Sequence, residues 1–152
     1  MTPEVERNKA VARRFYEEFW CRGNPDAADE IVAEDVDHGQ NPPGWPRGRD
    51  GFKRLVTTWR SAFPDMHEEI LLMIAEGDWV ASAFRLRGTH QGPFYGLEAT
   101  GRRVDIRGVD LLRIVDGQVV EWIYSEDALG LFEQLGGLPP DVADVAGPAI
   151  SG

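Results

Sequence analysis

The spacing of apolar residues changes period once along this chain. From Val11 to Trp20 they come in helical pairs, Val11 with Ala12, Phe15 with Tyr16 and Phe19 with Trp20, behind a Thr2-Pro3 start that reads as an N-cap followed by proline at the first helical position. The spacing predicts a first helix of about 20 residues, stopped by Gly23-Asn24-Pro25, and a short second helix over Asp26 to Ala33. The segment Asp37 to Gly48 is too rich in Pro and Gly for regular structure, and a connection of that length in a small domain usually carries function. A third helix is predicted from Asp50, with Phe52, Leu55, Val56, Trp59 and Phe63 on one stripe and Pro64 closing it. The pattern then becomes that of strands, over His67 to Glu76, Trp79 to Thr89, Arg102 to Ile114 and Gln118 to Ser125, with turns at Gly77-Asp78 and Asp116-Gly117. Helices followed by strands, without βαβ alternation, predict an α+β fold with an antiparallel sheet.

The last two strands carry the most chemical information. A three-residue loop, Val115-Asp116-Gly117, would pair Ile114 with Gln118 and set even-numbered residues opposite even-numbered ones. One face then holds Asp110, Leu112, Ile114, Val120, Trp122, Tyr124 and Glu126; the other holds Val109, Leu111, Arg113, Val119, Glu121, Ile123 and Ser125. Asp110 is the anomaly, because Val104, Ile106 and Leu112 share its face. A carboxyl among apolar side chains binds its proton more tightly, and can shuttle it or donate it in a hydrogen bond. The structural alternative is an aspartate at a kink after Gly108, neutralised by a neighbouring arginine.

Charge narrows the range of partners. The 152 residues suit one domain, read here as 1–137 with an extended tail over 138–152, and the formal charge of -10 is the wrong sign for holding nucleic acid or an anionic membrane surface. Seven of the 26 acidic residues, and none of the 16 basic ones, lie after Arg113. A single cysteine, Cys21, makes no internal disulfide, the N-terminal stretch lacks the apolar core of a signal peptide, and the longest apolar run, Ile70 to Ala75, is too short to cross a bilayer. A cytoplasmic protein is expected.

Other chemistry is sparser. His38 precedes the flexible connection and can serve as a general base at a cavity mouth or as a turn-capping histidine. His67 and His90 lie apart from it, and no H-x-H or H-E-x-x-H spacing signals a metal site. Trp59, Trp122 and Tyr124 can wall a pocket for a flat apolar ligand, although aromatic residues belong to the core by default.

Several segments together resemble the SnoaL-like polyketide cyclases of the nuclear transport factor 2-like superfamily. They are Asn8 to Tyr16 with Asn24-Pro25, His38 with the Asn-Pro-Pro loop, Phe63-Pro64-Asp65, Gly77-Asp78, Gly88-Thr89-His90-Gln91-Gly92, Thr100-Gly101-Arg102, Arg113 with Asp116-Gly117, and Asp127 to Leu131 with Gln134-Leu135-Gly136. The resemblance spans roughly residues 5–136. It implies a curved antiparallel sheet wrapped with N-terminal helices around a cone-shaped cavity, and a homodimer formed through the sheet. It also implies closure of a polyketide ester ring by an intramolecular aldol reaction, using acid–base groups and neither metal nor organic cofactor. The segment Asp110 to Ile114 is similar as well to the ketosteroid isomerases, in which such an aspartate donates a hydrogen bond to an oxyanion. Cyclases of this kind often carry histidine at that position and aspartate across the hairpin near Tyr124; here the pair is Asp110 and Tyr124. Either the acid–base carboxyl has moved to the neighbouring strand or the reaction differs, with Glu126 and Asp127 as further carboxyls at the strand end.

The resulting expectation is a cofactor-independent cyclase or isomerase acting on a hydrophobic carbonyl compound. Asp110, His38 and Tyr124 are its catalytic candidates, and Tyr16, Trp59, Phe63, His90, Trp122, Glu126 and Asp127 its substrate-contacting ones. Two alternatives stay open. A non-catalytic small-molecule binder on the same fold predicts a cavity lined almost wholly by apolar groups, with Asp110 locked in an ion pair with Arg85, Arg107 or another arginine. An epoxide hydrolase-like relative would need Asp105, Arg107 and Asp110 together, which strand alternation opposes.

Overall fold

The computed structural model describes residues 2–39 and 43–137; the expected tail over 138–152 lies outside them, as does the middle of the Pro/Gly-rich connection. Helix α1 spans Pro3–Phe15, with Thr2 Oγ1 accepting from the Val5 amide at 3.3 Å, acids in the first turn and arginines in the last, each suited to its end of the helix dipole. The helix does not continue as α to residue 21. It widens into a π-helical stretch, Tyr16–Cys21, closed by the Arg22 amide bonding Glu17 O at 2.9 Å, and this stretch buries Tyr16, Phe19 and Trp20.

Helix α2 is only Ala28–Ile31, followed by strand β1, Val32–Asp37. The helix expected through Ala33 is therefore shorter, and β1 was not expected at all. Its acidic sequence, VAEDVD, alternates poorly and owes its strand state to a distant partner. Helix α3, Gly48–Ala62, buries Phe52, Leu55, Val56 and Trp59. Strands β2 (His67–Glu76), β3 (Trp79–Thr89), β4 (Arg103–Val115) and β5 (Gln118–Glu126) fall within one residue of expectation. Helix α4, Ala128–Leu135, completes the described chain.

The sheet order is β1-β5-β4-β3-β2. Four strands are antiparallel as expected, but β1 runs parallel to β5, so the sheet is mixed rather than purely antiparallel. The hairpin also differs from the reading above. Val115 pairs with Gln118 around a two-residue turn in which Asp116 and Gly117 both have positive φ, 51° and 78°. Ile114 then pairs with Val119 and Arg113 with Glu121, so Val120 is an extra, bulged residue. The bulge restores the even-to-even register from Leu112–Trp122 onward, but it puts Val119, not Val120, into the core.

The helices pack on the concave face around Phe15, Phe19, Phe52 and Trp122, whose rings meet mostly edge to face with centroids 4.9–5.7 Å apart. The convex face divides into two halves. Arg85 with Asp105 (2.6 Å) and Arg87 with Glu69 (3.6 Å) make one half charged. Cross-strand rows Leu72–Ala83–Val109 and Ile74–Ala81–Leu111–Ile123 make the other apolar, with Leu72, Ile74, Val109, Leu111 and Ile123 each 38–60% exposed.

Candidate functional site

The concave face encloses a narrow cavity of about 30 Å³, lined by Trp20, Leu55, Trp59, Glu68, Phe84, Leu86, Asp110, Trp122, Tyr124 and Glu126. Strand register explains how three carboxyls come to line it. One cross-strand row on this face is Ser82–Asp110–Tyr124, the next is Phe84–Gly108–Glu126, and the third is Glu68–Leu86–Ile106. Glycine at the centre of the middle row is required by close approach. A Cβ on Gly108 would lie 2.5 Å from Phe84 Cζ and 2.6 Å from the Ser125 carbonyl oxygen. The Phe84 ring therefore lies over the Gly108 backbone, and no side chain rises between Asp110 and Glu126.

Asp110 is 2% exposed. The Trp122 indole N–H donates to its Oδ1 at 2.9 Å, and among the described residues no cation pairs with it. Arg85, one arginine proposed to neutralise it, is instead bidentate to Asp105 on the convex face, at 2.8 and 2.6 Å. The ion-pair alternative and the Asp105–Arg107–Asp110 cluster are thus both unmet, since Asp105 and Arg107 are exposed on the opposite face. Burial pushes the Asp110 carboxyl up to about 7, against the indole hydrogen bond and Tyr16, which favour its ionised form. Tyr16 is buried with its hydroxyl close enough to Asp110 and Ser82 to influence proton affinities there, yet neither that hydroxyl nor Ser82 Oγ completes a hydrogen bond of good geometry.

Two further carboxyls share the cavity. Glu126 is likewise pushed up to about 7, by burial and then by the Asp110 charge. Glu68 is 6% exposed and lies well above the ordinary glutamate range, because of burial first and the charges of Asp110 and Glu126 second. Tyr124 stacks on Trp122 with centroids 4.4 Å apart and is held protonated by burial and nearby acids. A second pocket of about 170 Å³, lined by Phe94, Tyr95, Leu131 and Phe132 among others, adjoins the first at Trp59 and Glu126.

The structure brings together Asp110, Tyr124, Trp59, Trp122 and Glu126 as cavity walls, with Tyr16 beside Asp110. It does not bring the other candidates there. His38 follows β1, is 2% exposed, and belongs to an outer pocket with Glu34, Asp35, Arg47 and Gly48, where burial lowers its proton affinity. His90 is buried against Phe63 and accepts the Thr100 amide at Nδ1 (3.2 Å), which places its ring proton on Nε2 and ties down the 92–101 loop. Phe63 packs against Phe94 in the core, and Asp127 caps α4 through the Gly130 amide at 2.9 Å. Glu68 escaped notice because Glu68 and Glu69 are adjacent, and the pattern of β2 alone does not say which faces inward. Pairing of Glu68 with buried Leu86 decides it.

A family model described as SnoaL-like polyketide cyclase matches residues 10–135. The chain belongs to the SnoaL-like polyketide cyclases. It is 33% identical over 140 residues to aklanonic acid methyl ester cyclase DauD of Streptomyces sp. (strain C5), covering 90% of this chain and 83% of that one. It is 32% identical over 126 residues to nogalonic acid methyl ester cyclase of Streptomyces nogalater, covering 78% and 90%. Among solved structures, TsrD from Streptomyces laurentii superposes with a TM-score of 0.79 at 26% identity, covering 88% of this chain and 97% of that one. Membership in the SnoaL-like cyclases agrees with the helix-wrapped cavity and its inward carboxyls. Among the described residues no helix of this SnoaL-like chain is long and apolar enough to cross a membrane, and no group of three or more His, Cys, Asp or Glu side chains is arranged to hold a metal ion.

Proposed function

We propose that this chain closes a carbocyclic ring in a polyketide methyl ester by intramolecular aldol addition, with Asp110 as the acid–base carboxyl. The observation that carries the reading is a carboxyl buried in the cavity wall, bonded by an indole N–H and paired with no cation. Such a group near 7 is partly ionised at neutral pH and basic enough to take the proton from a carbon flanked by carbonyls. Trp59 and Trp122 would flank a flat apolar part of the substrate, and Tyr124, across the strand from Asp110, would orient its carbonyl. His38, in its separate pocket, has no role in this scheme. The cavity is much smaller than a polyketide ester, so the substrate enters through the adjoining pocket past Trp59 and Glu126 and displaces side chains there.

The test is incubation of the purified protein with aklanonic acid methyl ester and, separately, nogalonic acid methyl ester, followed by chromatography. A cyclised product from wild type and its loss with Asp110→Asn support the reading. Conversion by Asp110→Asn at the wild-type rate removes Asp110 from the mechanism.

We also propose a homodimer through the apolar half of the convex face. The two rows around Ala81 and Ala83 present a shallow groove flanked by exposed Leu72, Ile74, Val109, Leu111 and Ile123, a patch of the kind that marks an interface. Sedimentation should show a dimer for wild type and a monomer for Ile123→Lys; monomeric wild type contradicts it.

A further inference from the structure

Glu68 takes no part in the scheme above, yet it is a buried side chain on the cavity wall whose carboxyl has no partner. No hydrogen bond or ion pair among the described residues engages it; only its backbone carbonyl is used, accepting the Cys21 thiol at 3.4 Å. The nearby arginines are committed elsewhere. Arg60 donates to the backbone carbonyls of Cys21 (3.2 Å) and Met66 (2.9 Å), and Arg87 reaches Glu69 on the other face of the sheet. The titratable groups facing Glu68 are Asp110 from β4, Glu126 from β5, and Tyr16 and Cys21 from the helical segment that packs on β2. None of them is cationic, so burial and the neighbouring acids raise the hold of Glu68 on its proton and nothing beside it favours the ionised form.

An aldol addition needs two proton movements at different atoms. A base removes a proton from carbon, and the carbonyl oxygen under attack must receive one. Asp110 has a hydrogen-bond donor in Trp122 that favours its charged form; Glu68 has none. Two carboxyls in one cavity whose environments differ in this way divide the roles of base and acid.

We propose that Glu68 is the proton donor of the reaction, delivering its carboxyl proton to the oxygen of the carbonyl under attack. The inference rests on the aldol reading above. In the step, Asp110 takes the proton from the carbon next to the ester, and the electron pair left behind forms the new carbon–carbon bond. The carbonyl π pair moves onto oxygen, and that oxygen takes the proton of Glu68. Asp110 ends protonated and Glu68 ionised, and transfer of one proton from Asp110 to Glu68 resets the pair with no net gain or loss.

The test compares wild type, Glu68→Gln, Glu68→Leu and Glu69→Gln with aklanonic acid methyl ester as substrate, together with infrared difference spectra of the proteins at pH 7. Glu68→Gln keeps a hydrogen-bond donor but has no proton to give. It should lower kcat by about 10²-fold with little change in KM, and it should abolish the alkaline limb of the pH profile. Glu68→Leu should be slower still, and Glu69→Gln should match wild type. The spectrum of wild type should contain a protonated-carboxyl C=O band that Glu68→Gln lacks and Glu69→Gln keeps. Full-rate turnover by Glu68→Gln with the alkaline limb intact overturns the role of Glu68 and leaves the cyclase reading standing. Wild type that does not cyclise either methyl ester overturns the cyclase reading and this role with it. Absence of the Glu68 band overturns the proposal even where the variants fold poorly.

Discussion

Glu68 and Glu69 are neighbours in the chain and end on opposite faces of the same sheet. Glu69 meets Arg87 on the convex side, exposed to solvent; Glu68 faces a cavity walled by aromatic rings and other acids, with no cation. Asp105 and Asp110 repeat the contrast on β4. Arg85 holds the Asp105 carboxyl below its ordinary range, and burial lifts Asp110 to about 7. Residue type is the same within each pair, and strand parity decides the chemistry. On the convex face a carboxyl is a solvated half of an ion pair, which contributes little to stability. On the concave face burial strengthens its hold on a proton, which is what the proposed acid and base roles require.

The sharpest way to break this contrast is to neutralise an inner carboxyl and its outer counterpart in parallel. Asp110→Asn should lower kcat by about 10²- to 10⁴-fold, while Asp105→Asn should leave turnover unchanged. Stability should move the other way. The folded-state pKa of Asp110 lies above its unfolded value, so between roughly pH 4 and 7 the unfolded chain releases this proton while the folded chain keeps it. Wild type therefore loses stability as pH rises through that window, and Asp110→Asn does not. At pH 7 the variant should be more stable by about 1–4 kcal/mol, a difference that disappears below about pH 4; equal denaturation midpoints at both pH values would contradict the placement. A smaller effect is expected from Gly108→Ala, which pushes Phe84 off the middle row and should cost about 1–3 kcal/mol while raising KM. The smallest is Glu69→Gln, for which kcat and thermal midpoint should both stay near wild type.

Much of this face chemistry was legible in the sequence because strand alternation is a local signal. Asp110 stood out among Val104, Ile106 and Leu112, and the structure buries all four. The ends of β2 and β3 were equally plain, since Gly77-Asp78 separates two strongly patterned runs. What was hidden depends on partners far along the chain. β1 is a strand only because β5 lies beside it, with Val32 paired to Val119. The Val120 bulge depends on a two-residue turn that the same residues, Val115 to Gln118, could have made longer. Glu68 is chosen over Glu69 by pairing with Leu86, a contact no window along β2 contains. Helix α4 carries a local signal of its own, with Asp127 as N-cap and Gly136 in the left-handed conformation after its end. His38 and His90 looked like chemistry because of their residue type, but both are held away from the cavity by burial in other surroundings.

The most direct test is the titration of Asp110 itself, followed by the carboxyl carbon signal of ¹³C-labelled aspartate, with the resonance assigned by its loss in Asp110→Asn. The face contrast predicts an inflection near 7 for Asp110 and a low one for Asp105. An Asp110 carboxyl that stays ionised down to the ordinary aspartate range, about 4, would contradict it.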